Sequence, residues 1–286
     1  MLVKHLKSTK LLVLTSSAMI CFAANSLLCR LAFKRTNIDP ASFTSVRIVS
    51  GAIVLWLILK WRGLNPRNAG SWLSAVALFT YAAAFSLAYL NLPAGTGALL
   101  LFAAVQATMI VHGLRKGQRF DIWQCVGFLL ALTGLVLLLF PGLSTPSLGG
   151  SLLMLSAGIA WGVYSLRGKG AGDATRTTAG NFLRAVPFTL ALSFAALGWI
   201  RFDFFGIECA VVSGAVTSGL GYVIWYEALI GLKSMPAATV QLSVPVLAAL
   251  GGILFLSEPM TFRFIISSFA VLGGIALVLV REKETN

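Results

Sequence analysis

Leu129–Phe140 reads LLALTGLVLLLF, a run that is apolar on every face of a helix. A lipid-facing strand of a barrel would alternate apolar and polar residues, so this stretch argues for a helix buried in hydrocarbon. Extended back to Ile122, the run approaches the ~20 residues needed to cross a bilayer at the helical rise. Nine other segments read the same way: Leu11–Phe33, Ala41–Leu59, Ser71–Leu90, Ala94–Gly113, Gly149–Leu166, Ala179–Ile200, Gly206–Leu229, Ala237–Phe255 and Phe262–Val280. The 286 residues are 58% hydrophobic and 11% charged, against roughly 25% charged for a soluble domain. The expected class is an all-α membrane protein with ten transmembrane helices and no room for an extramembrane domain.

The net charge of +13 would suggest nucleic acid in a soluble protein, but here its distribution reports orientation. With the N-terminus inside, fifteen basic residues fall on inner segments, among them Lys60, Arg62, Arg115, Lys116, Arg167, Lys169, Arg176 and Lys233. Four fall outside: Lys34, Arg35, Arg201 and Arg263. The positive-inside rule then places both termini in the cytoplasm of a cell whose inner membrane holds the chain. Trp56, Trp61, Trp72, Trp123, Trp225 and Trp199 sit near expected span ends, as interfacial anchors do. Lys4, Lys7 and Lys10 before Leu11–Ala24 look like the start of a secretory signal, but the apolar run continues through Phe33, which favours an uncleaved first span. Cys21, Cys29, Cys125 and Cys209 lack the close spacing of a metal or redox pair, and His5 and His112 stand apart. No cofactor or metal is expected, and no nucleic-acid partner.

The chain also repeats itself. AMICFAANSLLCR (18–30) aligns on AGIAWGVYSLRGK (157–169), pairing Phe22 with Trp161 and Asn25 with Tyr164. SVRIVSGAIV around Arg47 matches NFLRAVPFTL around Arg184, LPAGTGALLL matches MPAATVQLSV, and ALTGLVLLL matches VLGGIALVL, in the same order. Residues 1–140 and 149–286 therefore read as two five-helix repeats. Five is odd, so the second repeat inserts upside down, the construction of carriers whose sites lie at the midplane between halves. Chance matching of apolar text is the competing reading.

The segments PASFTSVRIVSGAIVL (40–55), LLMLSAGIAWGVYSLRGKG (152–170) and AATVQLSVPVLAALGGILFLSEPMTF (237–262) resemble the drug/metabolite transporter superfamily, specifically its EamA-type members. The resemblance covers nearly the whole chain. It implies two repeated five-helix halves and export or exchange of amino acids, other metabolites or cationic drugs.

Polar residues inside the spans are the candidate site, since each costs several kcal/mol in hydrocarbon unless it is paired or wet. Asn25 lies mid-span, with Tyr164 as its repeat partner one turn from Trp161. Arg47 and Arg184 are expected at symmetric depths, where a guanidinium offers a planar fork to a carboxylate or phosphate. Asn181 lies one turn from Arg184. Gln106 and Gln241 rank lower, as do Tyr81, Tyr89 and Tyr222. Each has a bland alternative: interhelical bonding for Asn25, snorkelling for the arginines, packing for the rings. Glu227 is the one acid well inside a span and is the candidate for proton coupling, although its interfacial depth favours pairing with Lys233 or Arg167. Pro187 and Pro245 interrupt the seventh and ninth spans, and Gly158 and Gly162 form a packing pair.

These features point to a small-solute carrier working by alternating access, with the lipid bilayer as its medium and a monomer or homodimer as its state. Cationic groups without deep acids favour amino acids or related organic anions. A drug or cation exporter is the alternative. A membrane enzyme lacks any nucleophile with an evident base, and a channel subunit leaves the repeat unexplained.

Overall fold

The computed structural model describes residues 2–65, 69–90, 92, 94–117, 121–139, 147–256 and 262–284. Among them the secondary structure is helical, with no strand. The helices are α1 (Leu2–Arg35), α2 (Pro40–Trp61), α3 (Trp72–Ala88), α4 (Ala94–Arg115), α5 (Ile122–Leu139), α6 (Leu148–Gly168), α7 (Ala174–Ala195), α8 (Phe204–Val212), α9 (Gly221–Ile230), α10 (Ser234–Val240), α11 (Ser243–Leu256) and α12 (Phe262–Glu284). A π-helical turn, Ser213–Leu220, joins α8 to α9, and two residues separate α10 from α11. Among the described residues the helices thus form ten rods, which follow the expected segments in order.

Short polar residues start the rods by accepting amide protons that the first turn leaves unpaired. Asp39 caps α2 through Ser42 N at 2.9 Å, Ser71 caps α3 through Ser74 N at 3.1 Å, and Asp173 caps α7 through Arg176 N at 2.6 Å. Asp203 does the same for α8 and Ser147 for α6. Pro40 follows its cap, where its missing N–H costs nothing. The seventh rod departs from hydropathy: it begins at Ala174, five residues before the expected start, because Asp173 caps a polar turn, ATRTT, that hydropathy does not see. Its far end stops at Ala195, and Leu197–Trp199 forms a separate 3₁₀ turn.

Four stretches, Thr9–Arg35, Pro40–Trp61, Leu148–Gly168 and Phe204–Ile230, are long and apolar enough to cross a membrane. Shorter apolar helices include Trp72–Ala88, Leu100–Arg115 and Ile122–Gly134. Large apolar side chains such as Leu12, Ile53, Leu129, Leu152, Phe194 and Phe269 face outward. Small residues bring the rods together. A Cβ on Gly158 would meet the Leu101 carbonyl and one on Gly162 the Thr108 side chain, so this pair serves α6–α4 packing.

The packing is exchanged between halves. α1 packs on α8, the π turn, α9 and α11, while α6 packs on α3 and α4. α2 lies across α7, and α5 across α12. Each rod of the first half thus meets the counterpart of whatever its own counterpart meets, and the middle of the molecule is built from both halves.

The loops sort to two ends. Arg62 Nη1 donates to Thr175 Oγ1 (3.4 Å), Arg176 donates to the Asn65 carbonyl (3.2 Å), and Lys169 donates to the Leu232 carbonyl, which gathers the basic loops at one end. At the other, Asp39 accepts from Arg201 N at 2.9 Å. Trp61, Trp72, Trp123 and Trp199 are exposed at rod ends. Trp225 differs: it is fully buried and its indole donates to Ser165 Oγ at 3.0 Å, because the face of α9 that carries it turns onto α6 rather than outward. Glu258, Arg67 and Arg119 and the Pro141–Pro146 break lie outside the described residues.

A buried arginine in an aromatic chamber

Arg47 sits in α2, roughly 10 Å along the axis from its start, and is 1% exposed. Glycines bring its helix close to the π turn. A Cβ on Gly214 would strike the Arg47 carbonyl and Ser50 Oγ, and one on Gly51 would come within 2.8 Å of the Gly214 carbonyl. The partners come from three elements: Ser218 from the π turn, Tyr222 from the start of α9 and Tyr81 from α3. Within the π turn Ser218 meets α2 while Ser213 and Thr217 face α1, a use of π geometry common at functional sites. Arg47 Nε donates to Ser218 Oγ (2.9 Å), and Nη2 donates to Tyr222 Oη (2.7 Å) and Tyr81 Oη (3.3 Å). The guanidinium carbon also lies 5.2 Å from the Tyr81 ring centroid. Nη1 has no partner. The charge is thus held by neutral hydroxyls and a ring face, with one donor edge left free.

Aromatic rings from both halves pack around the two tyrosine partners of Arg47. Trp161 on α6 lies 4.7 Å from Tyr222, 5.0 Å from Phe22 and 5.1 Å from Tyr81, centroid to centroid, and stacks on Tyr164 at 5.7 Å. Tyr164 continues the wall to Tyr226 at 5.1 Å. Phe22 and Trp161, paired in the internal repeat, meet edge to face.

The other candidate residues divide. Asn25 is buried beside the chamber, where its Oδ1 accepts from Ser213 (2.6 Å) and Thr217 (3.3 Å), tying α1 to the π turn. Gln241 lies at the break between α10 and α11. Its Nε2 donates to the Ala237 carbonyl (3.1 Å) and contacts Met109 Sδ, while its Oε1 accepts from the Trp161 indole at 2.7 Å. Gln106 Nε2 donates to the Ala238 carbonyl at 2.7 Å, and its Oε1 is buried without a partner. Gln241 Nε2 thus reaches the Ala237 carbonyl beside the break and its Oε1 fixes the Trp161 ring, while Gln106 adds a second donor to the Ala238 carbonyl, which also accepts from Gln241 N at 3.1 Å. Pro245 falls in the first turn of α11, past that break.

Arg184 does not join Arg47. It lies mid-way along α7, half-buried, and its Nη1 donates to the Ala69 carbonyl (2.6 Å) and the Gly180 carbonyl (2.9 Å), holding the α2–α3 loop. Asn181 Oδ1 accepts from Ser71 N (2.9 Å) at the same loop. Gly70 runs at φ +75° against Asn181 there, a position closed to side chains by both conformation and space. Glu227 is half-buried in the C-terminal half of α9, toward the end where the basic loops gather.

Beside this loop a cavity of about 380 Å³ opens at the basic end, lined by Ser71, Ser74, Arg167, Asp173, Arg176 and Thr177. Arg167 donates from Nε to Ser74 Oγ and from Nη2 to Ser71 Oγ across it. Among the described residues no three His, Cys, Asp or Glu side chains come close enough to hold a metal ion.

Sequence reasoning ranked Tyr81 and Tyr222 low and missed Ser218. The signal available was SGAVTSGLGY, a small-residue run inside a span that ends in a tyrosine.

The model of the EamA-like transporter family matches this chain twice, over residues 9–140 and 148–280. The chain belongs to the EamA-like transporter family. It is therefore a multi-pass membrane transporter and not an enzyme. Among its relatives, an uncharacterized protein of Pseudomonas aeruginosa is 55% identical over 269 residues, 94% of each chain. An uncharacterized transporter of Archaeoglobus fulgidus is 24% identical across 97% of this chain and 100% of its own. The threonine/homoserine exporter RhtA of Salmonella typhimurium is 27% identical over 208 residues, 70% of this chain and 68% of its own. A solved crystal structure superposes with a TM-score of 0.78 at 17% identity, over 96% of this chain and 98% of the other, which shows the shared fold.

Proposed function

We propose that this transporter carries a small amino acid or related organic anion by alternating access, with Arg47 holding the solute's anionic group inside the aromatic chamber. The observation that carries the reading is the free Nη1 of a fully buried guanidinium whose partners are hydroxyls rather than a carboxylate. An unneutralised cation in hydrocarbon is costly, and an entering carboxylate offsets that cost with a charge-assisted bond that water outside cannot match in so dry a site. Tyr81, Trp161, Tyr164 and Tyr222 present apolar faces to the rest of the solute. The name of the RhtA relative, an amino-acid exporter, is consistent with this cargo. A cationic drug fits less well, because Arg47 repels it.

Two repeats of odd span number, inserted in opposite senses in the inner membrane, supply two alternate gates. One gate is the basic end, where Arg184, Asn181, Arg167 and Arg176 clasp the α2–α3 loop. The other is the Asp39–Arg201 contact. Carrier exchange is tested by counterflow in proteoliposomes loaded with unlabelled amino acids. Uptake that saturates and accelerates with internal amino acid, and that Arg47→Gln removes, supports the reading; flux that is linear with concentration and indifferent to internal solute overturns it.

A further inference from the structure

Gln241 stands at the break between α10 and α11 and reaches the chamber from there. It is 0% exposed, and its Oε1 accepts the indole proton of Trp161 at 2.7 Å. Its amide cannot be turned over. Nε2 faces two acceptors, the Ala237 carbonyl at 3.1 Å and Met109 Sδ at 3.2 Å, so the oxygen has to point at the indole N–H, the one donor a tryptophan side chain has. The ring oriented in this way touches both tyrosines that hold Arg47: its centroid lies 4.7 Å from that of Tyr222 and 5.1 Å from that of Tyr81. A continuous chain of side chains therefore runs from the broken rod through Trp161 and the tyrosines to the guanidinium. The internal repeat has no second copy of the bond. Where the second half has Trp161 and Gln241, the aligned first half has Phe22 and Ala98, a ring without a donor and a side chain without an acceptor. Donor and acceptor occur together in one half and are missing together from the other, which sets the bond apart from what the repeated rods need in order to pack.

We propose that Gln241 is a positioning residue for the solute wall: by holding the Trp161 indole in one orientation it fixes the space beside Arg47 that the solute's side chain fills, and so selects among solutes by size. The inference rests on the reading of the chamber as the solute site. A wall residue discriminates only when its own torsions are locked by packing and by hydrogen bonds from behind. Rings pack against the faces and edges of the indole, but Gln241 alone is bonded to its N–H, and a buried N–H without an acceptor turns to find another. Released, the flat ring adapts to whatever solute lies against it. The competing role, bonding of the Ala237 carbonyl at the break, does not depend on which ring stands at position 161.

The test is a double-mutant cycle between Gln241→Met, which keeps the side chain's length and removes its oxygen, and Trp161→Phe, which removes the indole N–H. It is read with glycine, alanine, valine and leucine, a series graded in size, as counterflow substrates of the purified protein in liposomes. In the parent background Gln241→Met is expected to narrow the spread of KM across the series by about five-fold or more with Vmax little changed, and in the Trp161→Phe background to leave the spread within about two-fold. Emission of Trp161, taken in each Gln241 background as the difference made by Trp161→Phe, reports the bond without transport, and its maximum is expected to shift on Gln241→Met. An unshifted maximum overturns the positioning role. An equal change of spread in both backgrounds does so too, and assigns Gln241 to the break alone. If the emission shifts but the parent exchanges none of the four, or Trp161→Phe leaves every KM unchanged, it is the chamber reading that fails, and selection at this wall with it. Should Gln241→Met alone not fold, the double variant is expected to fold, because the orphaned indole donor is gone; failure of both to fold overturns the proposal.

Discussion

At the scale of single residues, a guanidinium deprived of water has to be held by geometry as well as charge. Arg47 reaches Ser218, Tyr81 and Tyr222 because its nitrogens are spread over a rigid plane. A lysine carries the same charge on one nitrogen and cannot satisfy all of them while offering a free edge. Arg47→Lys is therefore expected to cut counterflow at least ten-fold while the protein still folds, as read by elution on a sizing column. Tyr222→Phe removes a charge-assisted bond of 2.7 Å, and bonds of this kind contribute about 1.5–3 kcal/mol, so solute affinity is expected to fall by roughly ten- to a hundred-fold in a thermal-shift titration. Asp39 lies outside the spans and titrates. Partial burial raises its pKa, but the Arg201 amide, then the Ser42 hydroxyl and amide and the Ala41 amide, overcome burial and hold the carboxyl below its ordinary value. A lowered folded pKa contributes stability that is complete above the unfolded value near ~4 and is lost as pH falls through the folded one. Asp39→Ala is expected to destabilise by about 1 kcal/mol at neutral pH, the usual worth of an N-cap, with its melting curve converging on the parent's as the pH falls through the lowered folded pKa.

At the scale of elements, the site depends on two irregular helices. The π turn aims Ser213 and Thr217 at Asn25 and Ser218 at Arg47, the α9 that follows it adds Tyr222, and Gly214 is the point where the turn touches α2. Gly214→Ala places a methyl against the Arg47 carbonyl, which is main chain and cannot turn away. Overpacking of this kind costs ~1–3 kcal/mol, and here it also moves the guanidinium. A fall in melting temperature together with a larger loss of counterflow is the expected outcome; full activity at reduced stability would show that the α2 contact does not position the site. The break between α10 and α11 is the second. Gln106→Leu removes the donor to the Ala238 carbonyl and is expected to lower stability by about 1 kcal/mol, with little change in solute selectivity, because Gln106 supports the break rather than the chamber.

At the scale of the whole molecule, the packing of α1 on the α8–α9 rod and of α6 on α3 and α4 sets Arg47 and its aromatic neighbours between the halves, where the proposed alternating access would need them. The orientation argued from basic residues is tested by reporters: a fluorescent protein fused after Asn286 should glow, and alkaline phosphatase inserted at Arg201 should be active, whereas the reverse pair of results would invert the topology. Much of this was legible in the chain. Hydrophobic length specifies helices because backbone groups in lipid must pair within their own segment, and charge asymmetry specifies which loops gather together, as Arg62, Arg176 and Lys169 do. The seventh rod was misread by five residues because a capped polar turn carries no hydropathy. Within the site, polarity inside a span marked Asn25, Arg47, Tyr164, Asn181, Gln106 and Gln241 as exceptional, but not their tasks. Arg184 and the glutamines are spent on loop and helix carbonyls, whereas Arg47 keeps a free edge, and that difference depends on which acceptor lies within 3 Å. Distances of that kind are created when distant segments pack, Arg47 with Tyr222 and Asn181 with Ser71. The sequence alone thus determined the class, the rods and the residues too polar to be ordinary; the tertiary structure decided which of them have their hydrogen bonds filled and which do not, because a hydrogen bond's partner is chosen by proximity in space.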